Sequence, residues 1–154
     1  MKIVKAQAEI LKELLDPTGR VCYYTDELDE TVTVVTKGTV GYRMPQSMLR
    51  VDLEGAQTCA PLFDRVVDLT RAIELKPTDH YRLGGKVREY RAFGDEDKPV
   101  YIDTKQLANF DVPALYMNKY SPVGLVTLAE YRIDTDSMDV VGYVCPVRVG
   151  DKED

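Results

Sequence analysis

Hydrophobic and polar positions change period several times along this chain, and each change marks an element. Over residues 5–15, Ile10, Leu11, Leu14 and Leu15 recur as one stripe of a 3.6-residue period, with Lys5, Glu9, Lys12 and Glu13 facing away; the pattern predicts an amphipathic helix. Ile3 and Val4 ahead of it read as a short strand. Asp16-Pro17-Thr18-Gly19 stops the helix, because proline cannot continue the ladder and glycine tolerates the turn. From 20 to 44 the period falls to two, and β-branched and aromatic runs predict strands at 21–25, 31–36 and 39–44. Lys37-Gly38 reads as a two-residue hairpin turn, and the acidic stretch 26–30 as a solvated loop.

Pro61 suits a first helical position, and Leu62, Phe63, Val66, Val67 and Thr70 form one face of a second predicted helix over 61–71. Segments 80–83 and 86–93 then flank Gly84-Gly85, the signature of a tight hairpin. A loop at 94–99 leads to a short strand at 100–102, after which Asp103 or Thr104 caps a short helix. Extended runs follow at 114–117, 123–133 and 138–149, the last two joined by Asp134-Thr135-Asp136-Ser137. Few helices and many hairpins predict an α+β fold with antiparallel meanders, in two halves that share a strand-helix-strands plan. The expected organisation is one domain over 1–149 and an acidic tail over 150–154.

Composition narrows the picture. In 154 residues, apolar types make up 44% and charged types 30%, enough for one ordinary folded core. Acidic residues outnumber basic ones, 26 to 20, for a net charge of -6, which argues against a general nucleic-acid coat. Cys22, Cys59 and Cys145 are odd in number and far apart, so they read as buried thiols in a reducing compartment. With no secretory leader and no long apolar run, the expected location is the cytoplasm, away from membranes.

Little of the sequence points to catalysis. His80 is the sole histidine, so neither a zinc set nor a Ser-His-Asp arrangement is available. Gly84-Gly85-Lys86 lacks the first glycine and the hydroxyl residue of a phosphate loop. Asp134-x-Asp136 lacks the glycine and glutamate of a calcium loop. The expectation is a protein without enzyme activity, cofactor or metal. One constellation leans toward nucleic acid: Arg82, Lys86, Arg88 and Arg91 alternate with Tyr81, Tyr90 and Phe93, joining groups that pair phosphates to rings that stack bases.

The chain end carries a resemblance. The run from Val100-Tyr101-Ile102-Asp103 to Leu107-Ala108-Asn109-Phe110 is similar to the strand-to-helix start of the bacterial sliding clamp, the beta subunit of DNA polymerase III. Met117-Asn118-Lys119-Tyr120-Ser121-Pro122-Val123-Gly124-Leu125-Val126 resembles the clamp's S-P-hydrophobic strand, and Val141-Gly142-Tyr143-Val144-Cys145-Pro146-Val147-Arg148-Val149 its closing strand. Met1-Lys2-Ile3-Val4, followed by 10–15, resembles the opening of a clamp domain. The likeness covers about the last 50 residues and, more weakly, the first 20, and it leaves 45–98 unmatched.

It implies a single clamp-like domain whose partners are polymerase-type clamp-binding peptides, held in a groove to which Val144, Pro146, Val147, Arg148 and Val149 contribute. It also implies a homo-oligomer of about six copies around duplex DNA, with Lys5, Lys12 and Lys105 on pore-lining helices. The expected function is therefore a non-enzymatic clamp-like protein of DNA replication or repair, acting through protein contacts; a solitary domain suits a phage or other mobile element better than a host replisome. The competing expectation is an acidic interaction or inhibitor protein that mimics DNA or blocks a partner, resting on the loops 26–30 and 95–97.

Overall fold

The computed structural model describes residues 1–59, 69, 72–84, 88–118 and 125–148. The chain opens with helix α1 (Ile3–Leu15), followed by an antiparallel meander of β1 (Val21–Asp26), β2 (Thr31–Thr36) and β3 (Val40–Pro45). A short 3-10 turn at Gln46–Met48 leads to β4 (Gln57–Thr58). Next come β5 (Ala72–Leu75), β6 (Pro77–Gly84), β7 (Arg88–Phe93) and β8 (Val100–Asp103). The four-residue helix α2 (Thr104–Leu107) then precedes a second meander, β9 (Ala114–Asn118), β10 (Val126–Arg132) and β11 (Ser137–Val144).

Among the described residues the architecture is α+β, with two α-helices and mostly antiparallel sheets. Eight strands form one sheet in the order β4-β1-β2-β3-β11-β10-β9-β5, and β6-β7-β8 form a second. Helix-then-meander thus occurs twice, and the two meanders join through their last strands, with Tyr42 paired to Gly142 and Val40 to Val144. The seam is tight: a Cβ on Gly142 would run into the Gly41 carbonyl and come within 2.8 Å of the Phe110 ring. One core lies between α1, one face of the large sheet and the small sheet, and includes Ala6, Ile10, Val34, Tyr42, Phe93, Ile102, Leu128 and Val144.

Several expectations change. Ile3 and Val4 are the first turn of α1 and not a strand, so the first half lacks the leading strand that β8 gives the second. The helix is set by tertiary anchoring, with the Lys2 N–H bonded to the Asn109 carbonyl (2.9 Å), and packing overrides the β-branched preference. The buried face of α1 also differs from the predicted stripe. Ala6, Ile10 and Glu13 point inward, whereas Leu11 and Leu15 are 47% and 74% exposed. Glu13 is admitted because the turn after the helix brings the Arg20 N–H to its carboxylate at 3.1 Å, which satisfies the buried charge.

The Lys37-Gly38 turn is a three-residue loop, since Thr36 pairs with Val40; Lys37 and Gly38 both have positive φ (56° and 69°), the hand that matches strand twist. Gly84 is paired with Arg88 inside the ladder and is not a turn residue. The last run ends at Val144, because Pro146 has no N–H to give a ladder. The turn before β11 sits one residue earlier than predicted, with Asp136 in the left-handed region (φ 48°) and Ser137 already in the strand. The predicted helix at 61–71 falls almost wholly outside the described residues, and the tail 150–154 wholly so.

All three cysteines are thiols, half-buried rather than buried, because Cys22 and Cys59 lie at the β1/β4 edge and Cys145 just beyond β11. No helix among the described residues is long and apolar enough to cross a membrane.

Candidate binding groove

The site begins with an irregularity in β6. Pro77 pairs with Phe93 and Tyr81 with Arg91, so Thr78, Asp79 and His80 stand opposite Ala92 alone. This bulge is held by its own bonds: the Thr78 hydroxyl donates to the Ala92 carbonyl (2.6 Å) and accepts from the His80 N–H (3.2 Å). Arg91 Nε donates to the Thr78 carbonyl (2.8 Å). Bulges re-aim side chains and bend a strand; here the bent segment forms one wall of a groove.

The opposite wall is the chain after β11. The Cys145 N–H bonds the Thr39 carbonyl (2.9 Å) on the large sheet, and two residues later the Val147 N–H bonds the Tyr101 carbonyl (2.8 Å) on the small one. Pinned at both ends, Pro146 crosses between the sheets. Between these walls lies a cavity of about 1290 Å³, whose lining includes Ala92, Val100, Tyr101, Met117, Pro146 and Val147. His80, Arg82 and Arg148 line it with positive or ionisable groups, and Asp79, Asp95 and Glu96 with negative ones. An apolar lining with charges of both signs suits an extended peptide.

Tyr101 anchors the small sheet's groove face. It is 8% exposed and packs with Tyr90, Ala92 and Val147. The Arg82 guanidinium stacks 5.3 Å over its ring, and the His80 ring lies 6.3 Å away at a 58° tilt. Asp103 at the end of β8 starts α2, its carboxylate accepting the Lys105 N–H at 3.0 Å.

Of the residues expected at a peptide groove, Pro146, Val147 and Arg148 line the cavity. Val144 does not: it is fully buried in the core, because the strand's alternation turns it toward Val126 and Val40 rather than outward. Val149 lies outside the described residues. The basic-aromatic constellation does not form one stripe. Arg82 and Arg91 fall on opposite faces of the hairpin, and Arg91 is spent on Thr78 and on the rings of Tyr81 (5.3 Å) and Phe93 (5.7 Å). Arg88 is exposed opposite Gly84, and Lys86 is outside the described residues.

Lys5 and Lys12 are exposed on α1 and Lys105 on α2, but the outward face of α1 is apolar beside them, with Val4 82% exposed and Leu11 and Leu15 in line with it. A pore lining needs cations where this helix shows aliphatic side chains. The acidic loops are likewise dispersed. Asp29 pairs with Arg43 at 3.0 Å, whereas Asp95 and Glu96 belong to the groove.

Sequence reasoning missed Thr78, Asp79, Tyr101 and Met117 as groove residues. A local signal existed for the first two: a Thr-Asp step after Pro77 marks a side chain poised to bond its own backbone. Nothing local signals Met117, which reaches the groove from the other sheet. Among the described residues no three His, Cys, Asp or Glu side chains gather as a metal site, and the groove lining includes no serine or cysteine beside His80.

Compared with known proteins, the chain matches no family model, no curated protein and no solved structure.

Proposed function

We propose that this protein is a binding scaffold of sliding-clamp-like plan that seats an extended, largely apolar peptide of a partner protein between the bulge of β6 and residues 146–148. The observation that carries the reading is the double pinning of the chain after β11. Bonds from Cys145 to the large sheet and from Val147 to the small one hold Pro146, Val147 and Arg148 as a fixed wall beside the apolar patch of Ala92, Val100, Tyr101 and Met117. The repeated helix-then-meander order, joined through β3 and β11, supports the clamp-like plan. In this reading any link to DNA replication or repair runs through the captured protein, since the outward face of α1 offers aliphatic residues beside its two lysines.

Fluorescence anisotropy with labelled polymerase-type clamp-binding peptides tests it. Saturable binding is expected, weakened about 10-fold or more by Val147→Asp, because a carboxylate set against Tyr101 disrupts an apolar contact worth at least ~1.4 kcal/mol. The double variant Lys5→Ala, Lys12→Ala leaves binding unchanged. Absence of binding, or binding that depends on the lysines and ignores Val147, overturns the proposal.

A further inference from the structure

β4 is a short edge strand: Gln57 and Thr58 are both exposed, and their pairing with β1 is reinforced by a bond from the Cys59 N–H to the Tyr23 carbonyl at 2.9 Å. The parallel register sets Cys22 against Gln57, so Cys22 and Cys59 fall on the same face of the strand pair, diagonal to one another. Both side chains pack against the same buried pair, Val35 and Tyr143. Beside them lies a cavity of about 470 Å³ whose lining includes Glu13, Arg20, Cys22, Gly55 and Gln57 but not Cys59. That volume is within the range of small-molecule sites, about 300–1,000 Å³. Arg20 and Glu13 give its wall charges of both signs, which a compound that carries both carboxylates and an ammonium group, as glutathione does, can meet.

We propose that Cys22 and Cys59 are an exchange pair that reacts with a small-molecule disulfide such as oxidised glutathione, and that the resulting bond fastens β4 to the edge of the large sheet. The Cys22 thiolate attacks one glutathione sulfur, forming a mixed disulfide and releasing one glutathione thiolate. The Cys59 thiolate then attacks the Cys22 sulfur, expelling the second glutathione. Two protein thiols are oxidised, one glutathione disulfide is reduced to two thiols, and the two thiol protons pass to them. Cys22 acts first because burial, together with Cys22 itself as neighbour, pushes the Cys59 thiol up to about 12. As Cys59 attacks the capped Cys22, its thiol proton passes to the departing glutathione. Cys145 stands apart, its Sγ 3.6 Å from the Gly38 carbonyl, and serves as an internal reference.

The test incubates the reduced chain with oxidised glutathione, quenches with an alkylating agent and maps the peptides by mass spectrometry. A protein lighter by two hydrogens is expected, with Cys22 linked to Cys59 and Cys145 alkylated. Cys59→Ser stops at a glutathione adduct on Cys22, and Cys145→Ser behaves like the parent. The oxidised parent unfolds several degrees above the reduced one, a rise absent in Cys59→Ser. Recovery of both Cys22 and Cys59 as alkylated thiols in excess oxidised glutathione, or a link that involves Cys145, overturns the pairing. A linked protein with no gain in unfolding temperature overturns the fastening of β4.

Discussion

The large and small sheets reach stability by different routes. In the large sheet β2 buries residues of both alternations, Val32 and Val34 on one face and Thr33 and Val35 on the other, and Leu128 and Val126 have no exposed surface. Apolar area removed from water does most of the stabilising there. The small sheet gives Phe93 and Ile102 to the shared core and has on its groove face only a small cluster, Tyr90, Ala92 and Tyr101. It is braced by cations over rings: Arg82 on Tyr101, and Arg91 on Tyr81 and Phe93. Its outer strand leaves Tyr81 and Leu83 45% and 72% exposed. A region built from aliphatic burial tolerates little change, whereas one propped by arginines keeps an accessible, adjustable surface, which is where the groove lies.

Substitutions probe this contrast. The largest effect is expected from Leu128→Ala in β10, which leaves a cavity in a fully buried site and costs about 3 kcal/mol in urea unfolding. The matching change on the small sheet, Leu83→Ala, costs less than about 0.5 kcal/mol; equal losses would erase the distinction drawn here. Next is Gly84→Ala, whose new methyl group meets the Tyr90 ring and costs about 2 kcal/mol, with the Tyr90 resonances displaced in NMR spectra.

Arg91→Met removes the bond to Thr78 and the stacking, costs about 1 kcal/mol, and raises hydrogen exchange at 78–80 while β10 amides stay protected. Uniform exchange across both sheets would show that arginine bracing is not local to the small sheet.

The smallest effect is on the alkaline limb of stability. The Cys59 thiol is raised in the folded state from 9.0 to about 12, so the folded form holds its proton more tightly than the unfolded form. Its contribution is complete below pH 9 and falls as pH climbs toward 12. Burial of Tyr24 acts in the same direction. Denaturant midpoints measured as pH rises from 9.0 toward about 12 should slope downward, and less steeply in Cys59→Ser.

What the residue pattern revealed was local. The period of two over 21–44 located β1, β2 and β3 to within about a residue, since each strand contacts its neighbour through a short turn whose chemistry is written in Lys37-Gly38. Asp103 was recognisable as a cap for the same reason. The misread positions answer to distant partners. Glu13 looked solvated because its partner, the Arg20 N–H, arrives only after the Asp16–Gly19 turn. Leu11 and Leu15 looked buried because helical spacing alone does not say which of two apolar stripes meets the sheet. β4 and β5 are short edge strands defined by pairing with β1 and β9 and carry no periodic signal of their own. For the groove, the 146–148 wall was identified through a resemblance at the chain end, but its facing wall required knowing that β6 bulges at Thr78.

The junction between the two meanders also bears on how the molecule is made. Tyr42 waits for Gly142, a partner about 100 residues downstream. On a ribosome, the first helix and its three strands emerge long before anything can cover the outer edge of β3. Contacts of such wide sequence separation slow folding and leave bare strand margins open to mispairing. Nascent chains released before Ser137 would carry that raw margin permanently, so premature termination should yield aggregation rather than a smaller working protein.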